Sequence, residues 1–304
     1  MTMQSDSTLA TPLTGVSGAQ VPGFAFDPTD PWTVTFQTGL DRAGLTGRRV
    51  YEVGVGSGAN IAFMLRHCGA AMVLGSDLDP RLPLLAQRLV AEVAPDLVHR
   101  FRPISGSVSL IDTPVAMGEV TAVDAVVACL PQVPDPEDAL YSQFHLSQLA
   151  AAAALRDRAA DHIAHYYPWT AFQDYPFNAL GLGLNEALLR RVRAYAPRAE
   201  VVLNFGCRIG KMALFALFEA NRYRPEELAS CIVRQHQGTD ISFFMAVEAA
   251  MRGTGCEQDL VCEFYADPAG KWPLSASEAK LLLDADPATP IYHEICVLRG
   301  YPVP

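Results

Sequence analysis

Three glycines in five residues, placed directly after a short apolar run, constrain this chain more than any other feature. Residues 50–58 read Val-Tyr-Glu-Val-Gly-Val-Gly-Ser-Gly. Val50, Tyr51, Val53 and Val55 mark a buried strand, and Glu52 sits two residues before Gly54. A second apolar run, 71–74, ends in Gly75-Ser76-Asp77-Leu78-Asp79-Pro80. A strand, a glycine turn, a helix and a second strand tipped by an acid form the first half of a doubly wound α/β domain that binds a nucleoside. Glycine lets the backbone approach the ligand closely, and the Asp77 carboxylate can accept both ribose hydroxyls.

Two cofactor classes use this layout. Gly54 to Ala59 fits G-x-G-x-x-A, a dinucleotide fingerprint, and Glu52 to Gly58 fits E-x-G-x-G-x-G, an S-adenosylmethionine loop. Glu52 favours the second reading. A carboxylate beside the loop attracts the cationic amino group of a methionine moiety and repels a pyrophosphate. A tight strand-to-helix turn with no ligand is the third possibility. The residues expected to contact the cofactor are Glu52, Gly54, Gly56, Gly58, Asp77 and Leu78, with Ser107 and Cys129 at two further strand ends.

Composition excludes several partners. Of 304 residues half are apolar, ample for a packed core, and 33 acids against 23 bases give a formal charge of −10. With no Lys/Arg cluster, a nucleic-acid substrate is not expected. Seven scattered cysteines without a C-x-x-C pair indicate reduced thiols in a cytoplasmic protein, with neither a disulfide framework nor a zinc site. His162 and His165 lie one helical turn apart, but with no third ligand they read as surface residues, so no metal is expected. No signal peptide and no membrane-spanning run is evident. Apolar content alone suggests a homodimer.

The pattern along the chain predicts a tail over 1–22, a covering segment over 23–48, one domain over 49–250 and a C-terminal segment, 251–304, packed on it. Strands are expected over 50–55, 71–74, 100–104, 123–129, 201–205, 230–235 and 242–249. Helices are expected over 60–67, 83–94, 184–195 and 212–220, with one or two more within 137–164. Residues 261–304 read as a tail carrying one helix. The fold class is therefore α/β, a doubly wound and mostly parallel sheet with N- and C-terminal covering segments. In such sheets ligands bind beyond the carboxyl ends of the strands. That rule brings together residues 54–58, 77–79, 105–107 and 129–132.

The fourth of these is diagnostic. Many methyltransferases carry Asn/Asp-Pro-Pro-Tyr/Phe there to hold a planar amine. This chain has Cys129-Leu130-Pro131-Gln132. The group that would receive an amine's hydrogen bonds is gone, which disfavours a glutamine amide or a nucleobase as acceptor. Ser107 likewise stands where many relatives place an acid toward adenine.

The segment Cys129-Leu130-Pro131-Gln132-Val133-Pro134-Asp135-Pro136 resembles the corresponding loop of the methionine S-methyltransferase family. The similarity extends to residues 32–42, Gly181-Leu182-Gly183-Leu184, residues 203–210, Gln237-Gly238-Thr239-Asp240-Ile241-Ser242 and Cys262-Glu263-Phe264-Tyr265. It runs from about Phe24 to Tyr301. Plant enzymes of that family carry a further aminotransferase-like region, so the length here is closer to a stand-alone bacterial form serving dimethylsulfoniopropionate synthesis. The resemblance implies a class I S-adenosylmethionine-dependent methyltransferase fold. It implies methyl transfer to the thioether of free L-methionine, a reaction that needs no general base because a thioether has no proton to lose.

Within that resemblance, Gln132, Tyr166 and Tyr167 are the catalytic candidates. Gln132, Tyr175, Asn204, Arg208 and Asp240 are the substrate-binding candidates. Arg208 would take the substrate carboxylate, Asp240 its ammonium, and Asn204 could orient either. Tyr166, Tyr167, Trp169, Phe172 and Tyr175 offer aromatic faces to a sulfonium, about 0.5–2 kcal/mol each. Three other readings stay open: methylation of a protein glutamine or another small molecule, an NADP-dependent oxidoreductase, and a catalytically silent cofactor-binding partner.

Overall fold

Alternate residues of the central strands face opposite layers of helices, so each strand is apolar on both sides. This is the pattern of a parallel sheet covered on both faces. The computed structural model describes residues 28–108, 110–132, 174–236, 241–255 and 260–304. After helix α1 (Pro31–Arg42) come β1 (Arg49–Val53), α2 (Ala59–Arg66), β2 (Met72–Ser76), α3 (Leu82–Val93), β3 (Phe101–Pro103), α4 (Pro114–Val120) and β4 (Ala125–Ala128). Then follow α5 (Gly183–Tyr195), β5 (Glu200–Gly206), α6 (Lys211–Ala220), β6 (Tyr223–Arg234) and α7 (Ser242–Met251). Two short strands, β7 (Phe264–Tyr265) and β8 (Pro273–Leu274), precede α8 (Ala276–Ala285) and the final strand β9 (Tyr292–Pro302).

Strands β3, β2, β1, β4 and β5 lie side by side in that order and all parallel. From β1 the chain builds outward first through β2 to β3, then through β4 to β5. The β1–β4 boundary is therefore the topological switch point, where a ligand cleft opens. β9 runs antiparallel between β5 and β6. The expected doubly wound, mostly parallel sheet is what the chain forms.

One core lies between the sheet and α1, α2 and α3, and includes Phe36, Leu40, Val50, Ile61, Val73, Ala86, Val127, Val202 and Val297. The other lies under α4 to α8 and includes Tyr51, Val53, Leu74, Val126, Leu188, Leu203, Leu214 and Leu298. α1 lies directly on β9. A Cβ on Gly39 would sit 2.4 Å from Val297 Cγ1, so only glycine permits that approach. α1 starts at the carboxyl end of β5. There Asp30 caps it by accepting from the backbone N–H and hydroxyl of Thr33.

Two expectations need correction. Residues 242–249, read as a strand, belong to helix α7. Phe243, Val247 and Met251 recur at i, i+4 and i+8 and all pack on the larger core, which is helical periodicity. Residues 261–304 are more than a tail with one helix. Their last strand, β9, forms ladders with both β5 and β6 and lies inside the sheet. The strand expected over 230–235 is the end of the longer β6, whose register shifts between Glu227 and Ala229. The helices expected within 137–164 lie outside the described residues.

Candidate functional site

The glycine turn opens a recess at the carboxyl end of β1. Gly54, Gly56 and Gly58 all have positive φ, 76°, 51° and 83°. Beyond that shared conformation they differ. A Cβ on Gly56 would meet nothing within 4 Å, whereas a Cβ on Gly58 would lie 2.5 Å from Ala86 Cβ and 2.6 Å from Ala86 Cα. Gly58 thus lets α2 and α3 touch, and Gly56 leaves room for a ligand. The Gly56 N–H donates to Asp77 Oδ2 at 3.1 Å and the Asp79 N–H to Asp77 Oδ1 at 3.0 Å. These two bonds orient the Asp77 carboxylate at the tip of β2. Asp79 instead pairs with Arg81, whose Nε donates to it at 2.9 Å.

Glu52 lies beneath this turn with 1% of its surface exposed. Its Oε2 has no hydrogen-bond partner. Burial, with a smaller contribution from the Asp77 charge, pushes its pKa up to about 8 against a hydrogen bond from Asn60. A buried carboxyl with an orphaned oxygen has a desolvation cost that a cationic ligand would offset. Ser107 Oγ donates to the Leu78 carbonyl at 2.7 Å, and the Val108 N–H donates to the Asp77 carbonyl. The loops after β2 and β3 are therefore stitched into one wall.

A second group of residues gathers at the carboxyl ends of β4 and β5. Gln132 Nε2 donates to the Gly206 carbonyl at 3.0 Å, and the Gly206 N–H donates to Gln132 Oε1 at 2.7 Å. Asn204 Nδ2 donates to Cys129 Sγ at 3.5 Å, while Asn204 Oδ1, fully buried, has no partner. Cys129 is exposed, and desolvation by the protein around it pushes its thiol up to about 11, opposed by the Asn204 hydrogen bond and assisted by Glu52 and Asp30. Glu52 and Asp30 are both near enough for their charges to act on Cys129.

Arg208 follows β5. Desolvation brings its pKa down to about 10, and its guanidinium carbon lies 5.4 Å from the centre of the Phe244 ring. Among the described residues no carboxylate lies within 4.0 Å of it. A Cβ built on Gly206 would be 3.2 Å from each of Arg208 Nη2, Gln132 Oε1 and Trp32 Cη2, so these three side chains converge on one point. His293, on β9, joins them. Its ring centre is 6.0 Å from that of Trp32, only 3% of its surface is exposed, and neither ring nitrogen has a partner. Burial first, then the Arg208 charge, hold it far below the usual histidine pKa, and so neutral.

The structure thus brings Glu52, Gly54, Gly56, Gly58, Asp77, Leu78 and Ser107 to one end of the sheet, with Cys129, Gln132, Asn204 and Arg208 alongside. Tyr175 is found beneath Arg190, whose guanidinium carbon is 4.7 Å from its ring centre and which also pairs with Glu186. Tyr166, Tyr167 and Asp240 lie outside the described residues, as do Trp169, Phe172, His162 and His165. Sequence reasoning missed His293. Tyr-His-Glu-Ile at the head of a strand carries no signal until that strand is placed next to β5.

No family model matches the chain. A methionine S-methyltransferase of Hordeum vulgare is 24% identical over 268 residues, 84% of this chain. A methionine S-methyltransferase of Arabidopsis thaliana is 24% identical over 271 residues, again 84%. The chain spans about a quarter of the length of these curated relatives, 23% in each case. Among solved structures, the YcgJ protein of Bacillus subtilis aligns with 88% of this chain and 98% of its own, with TM-score 0.43 and 12% identity. A geranyl diphosphate methyltransferase in complex with SAM aligns with 91% and 93%, with TM-score 0.40 and 11% identity. Among the described residues no helix is long and apolar enough to cross a membrane, and no group of three or more His, Cys, Asp and Glu is placed to hold a metal ion.

Proposed function

We propose that this chain transfers a methyl group from S-adenosylmethionine to the thioether sulfur of free L-methionine, giving S-methyl-L-methionine and S-adenosylhomocysteine. The observation that carries the reading is Arg208. It is a half-buried guanidinium, desolvated by its surroundings and without a carboxylate partner among the described residues, at the acceptor end of the switch-point cleft. A guanidinium in that setting calls for a ligand carboxylate, which it can hold bidentately. A free amino acid supplies one, and the names of the curated relatives point to methionine.

The donor's place follows from the other recess. Glu52 would take its amino group and Asp77 its ribose hydroxyls, with Gly54 and Gly56 allowing close approach and Leu78 and Ser107 walling the adenine side. When bound, S-adenosylmethionine supplies an electrophilic methyl on a sulfonium. The methionine sulfur lone pair forms the new carbon–sulfur bond as the old one breaks, and no proton moves. The residues therefore act by alignment and exclusion of water, and proximity alone can supply about 7–11 kcal/mol. Trp32 offers a cation-stabilising face at the acceptor side. Tyr166 and Tyr167 remain catalytic candidates and Asp240 a candidate for the substrate ammonium. Cys129 in place of an amine-holding acid or amide argues against the glutamine-amide alternative. The Glu52 carboxyl argues against a dinucleotide.

The test is the pH profile of kcat with L-methionine, measured where methyl transfer limits the rate. The rate is expected to be nearly flat from about pH 6.5 to 8.5, the range in which a histidine base would titrate. A steep single-proton dependence would show an acceptor that has to be deprotonated and would remove the thioether assignment.

A further inference from the structure

His293 has a role that its burial alone does not explain. A buried imidazole in a protein core ordinarily finds a partner for at least one nitrogen. Here Nδ1 and Nε2 are both without one, on a residue 97% removed from solvent by its 3% exposure. Its neighbours are the residues of the acceptor recess. Trp32 is 6.0 Å away ring to ring, and Arg208 is close enough for its charge to act on the ring. Arg208 and Trp32 themselves meet over Gly206. β9 carries His293 to this position because its neighbours Glu294 and Ile295 are fixed against the end of β5. The Cys207 N–H donates to the Glu294 carbonyl and Ile295 pairs with Gly206.

A neutral imidazole has one N–H donor and one acceptor nitrogen. The two ring nitrogens point away from each other, so one imidazole reaches only one charged end of a free α-amino acid. Beside Arg208 that end is the carboxylate, which can accept the imidazole N–H. We infer that His293 is a specificity residue of the acceptor site, donating its N–H to the substrate carboxylate beside Arg208. The inference rests on the reading that the acceptor is a free amino acid. It adds to the guanidinium a second donor that would make the site demand a free carboxylate.

The test is calorimetry with S-adenosylhomocysteine present, using L-methionine, N-acetyl-L-methionine and L-methionine methyl ester as probes. The proteins are the wild type, His293→Leu and His293→Gln, each also tested for S-adenosylhomocysteine affinity and thermal midpoint. His293→Leu is expected to bind L-methionine at least about tenfold more weakly, a loss of about 1.4 kcal/mol. It should hold S-adenosylhomocysteine within about twofold of wild type and melt no lower, because an unpaired buried polar group has been removed. The wild type should prefer L-methionine to its methyl ester and the leucine variant should lose much of that preference, while its discrimination against N-acetyl-L-methionine stays near wild type. His293→Gln, which keeps a donor and an acceptor, should recover part of it. Unchanged methionine binding in His293→Leu overturns the inference while leaving the proposed function intact. A parallel fall in methionine binding, cofactor binding and melting temperature overturns it too, by showing a structural role. If the wild type ignores methionine but binds another free amino acid in a His293-dependent way, the thioether reading fails and the His293 assignment stands. If no free amino acid binds, both fall.

Discussion

Gln132 and Gly206 are joined by two hydrogen bonds, 3.0 Å from Gln132 Nε2 to the Gly206 carbonyl and 2.7 Å from the Gly206 N–H to Gln132 Oε1. A side-chain amide here completes the backbone pairing that β5 leaves open at its end. It ties the loop after β4 to the residue on which Arg208 and Trp32 converge. On the proposed function, Gln132 positions the acceptor recess.

Gln132→Ala should therefore lower kcat/KM for the acceptor by about 1–3 kcal/mol, the cost of leaving buried backbone groups unpaired. Cofactor affinity should stay near wild type. Steady-state kinetics with calorimetry of S-adenosylhomocysteine binding separates the two. An equal loss of both affinities would show that the loop as a whole has come apart.

Arg208→Ala should raise KM for methionine with little change in cofactor affinity. Removing one partner of a desolvated charge pair costs about 2–5 kcal/mol. Arg208→Lys should recover only part of this, since an ammonium lacks the bidentate fork. Methionine affinity that is indifferent to both changes would place the substrate carboxylate elsewhere.

Much of this site was legible before any coordinates, for a physical reason. Gly54, Gly56, Gly58, Glu52 and Asp77 lie together within a short stretch of chain, where spacing and residue type carry the geometry. Arg208 and Asn204 were reachable because they follow a strongly apolar strand. His293 and Trp32 were harder, because their roles depend on ladders between segments far apart in sequence, such as Ile295 with Gly206. Helix α7 was misread for a different reason. Two adjacent phenylalanines suggest a strand locally, and only the one-sided burial of Phe243, Val247 and Met251 reveals the helical period.

On the proposed function, Glu52 should make cofactor binding depend on pH. Its folded pKa of about 8 lies above the ordinary 4.5, so the free protein holds a proton there at pH 7. Its contribution to stability is present below about pH 4.5 and is lost as pH rises through about 8. A cationic amino group favours the ionised form, so binding should expel that proton. Calorimetry of S-adenosylhomocysteine at pH 7 in buffers of different ionisation enthalpy should show close to one more proton released by wild type than by Glu52→Gln. No difference between the two proteins would place Glu52 away from the ligand's charge.

Gly58→Ala should destabilise the fold rather than the chemistry. The left-handed backbone at φ 83° already costs a non-glycine residue about 1–2 kcal/mol. The new methyl would also meet Ala86 Cα at 2.6 Å, which is backbone and cannot turn aside. Denaturant unfolding should show a loss of more than about 2 kcal/mol. A loss below about 0.5 kcal/mol would mean that α2 and α3 are not in the close contact described.

The most direct measurement is the identity of the methylated product. The protein is incubated with methyl-labelled S-adenosylmethionine and an equimolar mixture of L-methionine, N-acetyl-L-methionine and a glutamine-containing peptide, and the label is located by mass spectrometry. The account predicts that the label accumulates in S-methyl-L-methionine, with little in the blocked amino acid and none in the peptide. Label in the glutamine amide, or none in free methionine while S-adenosylhomocysteine accumulates, would contradict it.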